Sequence, residues 1–191
     1  CPHDGLMWMN PQPQGDFYMD IYSEEYFSEE RLPSLAEQVG IAEIGDEMIE
    51  AERRRVARIR ADELEKVVTV PGRVLEVGCA SGYLLNELLS RGWDPTGIDI
   101  SSYIVGKARE RGLGGRVLAG QLEDIRYTKE SFDAVLLYDV LEHVRYPDAL
   151  MAEVKRILKP HGIVVLRIPD TGRLGPLLHL VEHIVHFNRS T

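Results

Sequence analysis

Cysteine is scarce in this chain of 191 residues, which contains Cys1 and Cys79 and no others. Two cysteines provide no disulfide framework and are compatible with a reducing compartment, so we expect a cytoplasmic protein. No apolar run approaches the roughly 20 residues that span a bilayer, so we predict no membrane partner. The 22 basic residues are outnumbered by 31 acidic ones, and the net charge of −9 argues against nucleic acid as the main partner.

The apolar content of 44% is ordinary for a globular domain with a sizeable core. The densest basic run, residues 52–60, lies among acidic neighbours, and we interpret it as a solvated helix face. The composition leaves the oligomeric state open.

Short apolar runs alternate with helical patterns between residues 73 and 168. This alternation predicts an α/β fold with a doubly wound, Rossmann-like, mainly parallel sheet. Predicted strands cover 73–77, 95–99, 116–119, 132–138 and 162–168. Predicted helices cover 35–68 with a break near Gly45, then 83–91, 102–111 and 147–158, and we expect a polar loop over 120–130. We divide the chain into an N-terminal aromatic segment and helical cap (1–70), a ligand-binding domain (71–170) and a C-terminal loop and helix (171–191).

The stretch VLEVGCASGYLL, residues 74–85, combines a strand, a tight turn and a helix start. Gly78 and Gly82 permit positive φ and a close approach of the backbone to a ligand. The G-x-G-x-x-G spacing of dinucleotide sites is absent, and Glu76 would repel a pyrophosphate but suit a ligand with an amino group. Ala80 occupies a position where glycine is usual, and its methyl group is tolerable if its φ is negative.

Further polar residues follow the next strands. Asp99 comes 21 positions after Gly78, close to the roughly 20 expected for a carboxylate that binds ribose hydroxyls. In the loop after the third strand, Leu122 could pack on an adenine ring and Gln121 could contact its edge. Ser101 is a plausible N-cap for the following helix.

These motifs together resemble class I S-adenosylmethionine-dependent methyltransferases of the ubiquinone-methyltransferase-like group. The resemblance covers residues 74–85, 96–101 and 131–170, and more weakly GQLEDI at 120–125. It implies S-adenosylmethionine as cofactor and the class I methyltransferase fold, with last strands that would lie beyond Thr191. The implied cofactor-binding residues are Glu76, Gly78, Cys79, Ala80, Gly82, Asp99, Ile100, Gln121, Leu122, Tyr138 and Asp139.

The resemblance also implies a role for each part of this set. The turn from Gly78 to Gly82 would pass under the methionine moiety, with Glu76 near its ammonium group. Asp99 would hold the ribose hydroxyls, and Ile100 would lie against the adenine. Tyr138 and Asp139 would face the reacting methyl group.

The stretch from Asp139 to His143 leaves two interpretations open. Asp139, Glu142 and His143 have i, i+3, i+4 spacing and would share a helical face, where they could bind a cation with His183 or His186. Under the same interpretation, His143 could act as a general base. Alternatively, Glu142 satisfies a helix N-terminus and His143 packs in the site wall. We favour the second interpretation and predict no metal. Cys79 is either a small filler beneath the cofactor or a reactive thiol.

At the N-terminus, residues 1–11 resemble the second knuckle of a zinc ribbon found in some bacterial relatives. Asp4 stands where a ligand cysteine would be, so we predict no zinc site. Relatives of that kind are linked to sugar pathways, which makes a carbohydrate-like acceptor worth testing.

We therefore predict a methyltransferase that acts on a small molecule, with His143 as the candidate catalytic residue. A non-catalytic module that retains the cofactor fold and a nicotinamide-dependent oxidoreductase are the alternatives.

Overall fold

A computed structural model describes residues 7–8, 21–22, 45–170 and 185–187. The helices are α1 (Asp46–Val67), α2 (Tyr83–Ser90), α3 (Ser102–Ala108), α4 (Leu122–Ile125) and α5 (Pro147–Ile157). The strands of the main sheet are β1 (Arg73–Val77), β2 (Asp94–Asp99), β3 (Val117–Ala119), β4 (Phe132–Tyr138) and β5 (Leu158–Arg167).

The five strands are parallel and lie in the order β3-β2-β1-β4-β5. Alternate residues of each central strand point to opposite faces. Along β1, Val74 packs against α1 and α2, whereas Leu75 and Val77 pack on the face that α4 and α5 cover. Both faces of the sheet are therefore buried under helices, which confirms the doubly wound α/β prediction.

Several predicted boundaries are wrong. Residues 120–130 are not entirely loop, because Leu122 and Ile125 pack against the core as the short helix α4. Helix α3 ends at Ala108, and a π-helical turn follows over Arg109–Leu113, where Gly112 has φ 93°. Strand β5 starts at Leu158 rather than 162, since a register irregularity opposite Phe132 and Ala134 accommodates the extra residues.

Helix α1 begins at Asp46 with Gly45 as its N-cap, so the predicted break near Gly45 coincides with a helix start. The earlier part of the predicted helix, 35–44, lies outside the described residues. A separate two-residue antiparallel pairing joins Met7–Trp8 to Val185–His186. In the part of the chain that the structure describes, no helix combines the length and apolar character needed to cross a membrane.

Candidate functional site

The strand order reverses between β1 and β4, where ligands of doubly wound folds bind beyond the carboxyl ends of the strands. A cavity of about 300 Å³ lies next to this point, between α1 and the turn that follows β1. It is lined by Glu52, Arg53, Val56, Ala57, Arg60, Glu76, Gly78, Cys79, Ala80, Ser81, Tyr83, Leu84 and Ile104. The first predicted motif therefore forms one wall of a cavity.

The turn after β1 requires its glycines. Gly78 has φ 73°, and a Cβ atom there would lie 2.6 Å from Cγ2 of Val140. The backbone N–H groups of Gly78 and Cys79 donate to the carbonyl oxygen of Ile98 at 2.8 and 3.0 Å, which ties the turn to β2. Gly82 has φ 78° and directly precedes α2. The backbone at Gly78 and Gly82 is thus held in a conformation that most side chains would strain.

Ala80 contradicts one expectation, since its φ is 45° rather than negative. Its exposed methyl group lies at the cavity wall, while its N–H donates to Oδ2 of Asp99 at 2.9 Å. A left-handed alanine is strained by about 1 kcal/mol or more. The hydrogen bond to Asp99 helps to hold that conformation.

Asp99 is fixed by the backbone on both oxygens. Oδ1 accepts from the N–H of Ser101 at 3.0 Å, and Oδ2 accepts from Ala80. Burial raises the pKa of Asp99, and the two backbone hydrogen bonds oppose that rise. A carboxylate has about four acceptor positions, so two remain for a pair of hydroxyl groups. Ser101 also caps α3, as predicted, by accepting from the N–H of Ile104.

Glu76 is the most unusual group in the cavity. Its side chain is buried, and Oε2 has no hydrogen-bond partner among the described residues. Burial raises its pKa to about 8; Asp99 adds to that rise, whereas Arg60 opposes it. A buried carboxylate without a donor is unfavourable unless a ligand supplies one. The side chain therefore fits a cationic, proton-donating group such as an ammonium.

Arg60 completes the cavity and was missed, because residues 52–60 were interpreted as a solvated helix face. Its Nη2 donates to Oδ2 of Asp139 at 3.0 Å, and its Cζ lies 4.2 Å from the ring centroid of Tyr138. Nε is buried without a hydrogen-bond partner in the described part of the chain. The i, i+3, i+4, i+7 spacing of Arg53, Val56, Ala57 and Arg60 marks one stripe of α1, which could have indicated a shared face.

The predicted adenine-binding residues differ in their surroundings. Gln121 is exposed at the N-cap of α4, and Ile100 is half-buried after β2. Leu122 is 2% exposed and belongs to the core beneath α5. The side chain of Leu122 is therefore not available to pack on a ring, contrary to the prediction.

Asp139, Glu142 and His143 do not share a helical face. Asp139 has φ 57° and precedes the 3-10 turn Leu141–His143, so the predicted helical spacing is wrong. Both oxygens of Glu142 are buried without hydrogen-bond partners in the described regions, so this residue does not satisfy a helix N-terminus. Burial raises the pKa of Glu142 to about 7.

His143 lies beside Glu142 and the N-terminal segment. Its Nδ1 is 2.9 Å from the hydroxyl oxygen of Tyr22, and its Nε2 is 4.0 Å from Oε1 of Glu142. Within residues 7–8, 21–22, 45–170 and 185–187, no group of three or more His, Cys, Asp or Glu could hold a metal ion. His183 and the side chain of His186, the other suggested ligands, lie outside the described residues.

Cys79 packs under the turn rather than into the cavity as a nucleophile. Its side chain is buried and faces Gly97, where a Cβ atom would lie 2.7 Å from its Sγ. Burial raises the pKa of the Cys79 thiol well above its ordinary value. An un-ionised thiol is a poor nucleophile, so the structure favours the filler interpretation.

The comparisons with known proteins agree with this geometry. Residues 75–166 match the sequence family described as "Methyltransferase domain". The ubiquinone biosynthesis O-methyltransferase of Dechloromonas aromatica (strain RCB) is 34% identical over 118 residues, which cover 56% of this chain and 49% of that protein. The chain spans about half the length of the curated relatives it matches.

Two solved structures share the fold. PH0226 protein from Pyrococcus horikoshii OT3 is similar with a TM-score of 0.54 and 23% identity, over 85% of this chain and 65% of that one. Phosphoethanolamine N-methyltransferase 2 from Haemonchus contortus, in complex with S-adenosyl-L-methionine, is similar with a TM-score of 0.50 and 24% identity, over 56% of this chain and 27% of that one. At these identities the likeness shows the fold alone. Residues 75–166 of the chain therefore match a methyltransferase domain, and the described residues share the fold of these two structures.

Proposed function

We propose that this protein binds S-adenosylmethionine in the cavity between α1 and the turn after β1, and transfers its methyl group to a small-molecule acceptor. The observation that carries the proposal is the buried carboxyl of Glu76, whose Oε2 has no hydrogen-bond partner among the described residues, in a cavity that Arg60 also lines. An acid and a guanidinium that line the same cavity complement the two charges of an amino-acid group.

The residues that line the cavity and those at the neighbouring strand ends then each have a task. Glu76 would accept hydrogen bonds from the ammonium group, whose arrival lowers the pKa of this carboxyl. Arg60 would bind the carboxylate through its unpartnered Nε, while the backbone of Gly78, Cys79, Ala80 and Gly82 supports the chain between them. Asp99 would accept from the two ribose hydroxyls. Ile100, Gln121 and the backbone of Leu122 would surround the adenine.

When bound, S-adenosylmethionine supplies a methyl group that is activated by the positive charge on its sulfur. The chain's contribution is orientation and the exclusion of water. Tyr138 and Asp139 are held in place by Arg60 at the end of β4, on the side where the acceptor would enter. His143 is our candidate for removing the acceptor's proton, with its ring oriented by Tyr22 at Nδ1.

We infer that the methyl group goes to a hydroxyl oxygen. The curated relatives named above are O-methyltransferases, and the N-terminal resemblance favours a carbohydrate-like acceptor. The acidic net charge of −9 supports a small acceptor over a nucleic acid. In this proposal residues 71–170 provide most of the cofactor-binding groups, and Arg60 of the helical cap within residues 1–70 contributes the guanidinium.

A methyl-transfer assay with carbohydrate and phenolic acceptors tests this proposal through the release of S-adenosylhomocysteine. Wild-type protein should turn over at least one hydroxyl acceptor. The His143→Ala variant should lose a factor of about 10² to 10⁴ in turnover if His143 is the base. His161→Ala, at an exposed position of β5, is the control. Unchanged turnover in His143→Ala would remove the base assignment, and cofactor binding without turnover of any acceptor would favour the non-catalytic alternative.

A further inference from the structure

Helix α1 is unevenly attached to the rest of the domain. Its buried residues, Ala57, Ala61 and Leu64, all lie in its second half. Near its C-terminal end, Arg91 of the α2 terminus pairs with Asp62 at 2.7 Å and with Glu65 at 2.8 Å. The first turns, from Asp46 to Glu52, contain no buried residue. The second half is therefore anchored by apolar packing, while the first half depends on polar contacts.

Those polar contacts converge on Glu50. Its carboxylate accepts from the hydroxyl of Tyr83 and from Nη1 and Nη2 of Arg111, the latter two at 3.3 and 3.2 Å. The guanidinium of Arg111 also stacks on Tyr83, with Cζ 4.1 Å from the ring centroid, and Arg53 approaches the same ring at 5.7 Å. The hydrogen bond from Tyr83, followed by those from Arg111 and Arg54, lowers the pKa of Glu50 to about 2. The carboxylate is thus charged at any ordinary pH.

This cluster lies at the edge of the cavity. Tyr83 and Arg53 line the cavity directly, and Glu52 and Val56 of the weakly packed half of α1 line it beside them. Arg111 belongs to the π-helical turn that follows α3 in the chain, and its side chain contacts the cluster from there. Breaking the contacts of Glu50 would therefore free the half of α1 that covers the cavity, while its second half stays anchored.

We propose that Glu50, Tyr83 and Arg111 form a latch that holds the first half of α1 closed over the cavity. Its opening sets the rate at which the cavity exchanges its ligand. The exchange of S-adenosylhomocysteine rests on the proposed function, whereas the opening of α1 does not. The contacts tie three elements together: Glu50 of α1, Tyr83 of α2 and Arg111 of the π-helical turn.

Hydrogen exchange of the ligand-free chain tests the latch directly. Glu50→Gln and Tyr83→Phe each remove the charged hydrogen bond while they preserve side-chain size. Both should increase deuterium uptake in residues 46–56 by about tenfold in rate, the change expected for losing one hydrogen bond to a charged group. Uptake in residues 57–67 should not change, which serves as an internal check on folding. The control is Glu47→Gln, an exposed acid in the same first turn.

The second measurement is the dissociation rate of S-adenosylhomocysteine by stopped flow. Both variants should release the ligand about tenfold faster. Their affinity should change less than the release rate, because association of the ligand also accelerates. The double variant should release the ligand at the same rate as either single variant. Wild-type uptake over 46–56 in both variants would overturn the latch. If the wild-type chain does not bind S-adenosylhomocysteine, the proposed function fails, and the exchange experiment still decides whether the latch exists.

Discussion

At the residue scale, the site contains two glutamates, Glu76 and Glu142, whose buried oxygens lack hydrogen-bond partners in the described regions. Burial raises the pKa of both, to about 8 and about 7. Burying a carboxyl without a hydrogen-bond donor is unfavourable in free energy, and other interactions of the folded state have to offset this cost for each glutamate. Such groups are expected where a ligand supplies the missing donor, and Glu76 lies in the cavity wall.

Glu142→Gln tests this cost through the pH dependence of stability. The pKa of Glu142 in the folded state, about 7, is above its ordinary value of 4.5 because of burial, with a further rise from Asp139. Its stabilising contribution is therefore complete below about pH 4.5 and is lost as the pH rises through 7. Wild type and variant should unfold at similar urea concentrations at pH 4.5. At pH 8 the variant should be more stable by about 1–3 kcal/mol.

The matched control for that experiment is Glu123→Gln, an exposed acid of α4. It should follow the wild-type pH profile throughout. A Glu142→Gln profile parallel to wild type from pH 4.5 to 8 would contradict the assignment of a raised pKa.

Ala80 is the second residue that should lower the stability of the fold by a measurable amount. Because its φ is 45°, Ala80→Gly should raise the free energy of unfolding by about 1 kcal/mol. Ala152→Gly, on the exposed side of α5, should lower it by about 1 kcal/mol. Thermal or urea unfolding of the two variants measures the difference. A loss of stability in Ala80→Gly comparable to that in Ala152→Gly would show that the alanine is not strained.

At the element scale, the sequence was most informative where apolar runs are long. Strands β1 and β4 have the predicted bounds, since apolar residues make up most of each strand and Glu76 and Asp133 are the charged residues in their interiors. Helix α4 was missed because four residues carry no periodic pattern. Arg60 and Glu50 were missed because the direction in which an arginine-rich helix faces depends on tertiary packing, which local spacing does not determine.

The contact between β2 and α2 depends on the small size of Gly97. A Cβ atom there would lie 2.5 Å from Cδ1 of Leu85 and 2.7 Å from Sγ of Cys79. Gly97→Ala should therefore destabilise the fold by about 1–3 kcal/mol. Gly106→Ala in α3 is the matched control, because nothing lies within 4 Å of its added Cβ, and it should stabilise by about 0.5–1 kcal/mol. Urea denaturation gives both values, and equal stability of the two variants would refute this packing.

At the scale of the whole molecule, the parallel sheet brings distant motifs to one edge. Gly78, Asp99 and Asp139 lie at the carboxyl ends of three neighbouring strands, and residues of α1 line the cavity beside Gly78. The alternation of strands and helices was sufficient to predict this arrangement, because right-handed crossovers leave few other topologies. The covering helix was not predicted to contribute side chains, and it supplies both Arg60 and the proposed latch.

Calorimetric titration of the 191-residue chain with S-adenosylhomocysteine tests the central claim most directly. We expect one-to-one binding by the wild type, no binding of NAD⁺, and an affinity reduced about tenfold or more in Asp99→Asn, which loses the charge that would accept from the ribose hydroxyls. Asp124→Asn, an exposed acid of α4, should bind like the wild type. A folded chain that gives no binding heat with S-adenosylhomocysteine at any ligand concentration, or that binds NAD⁺ instead, would contradict the account.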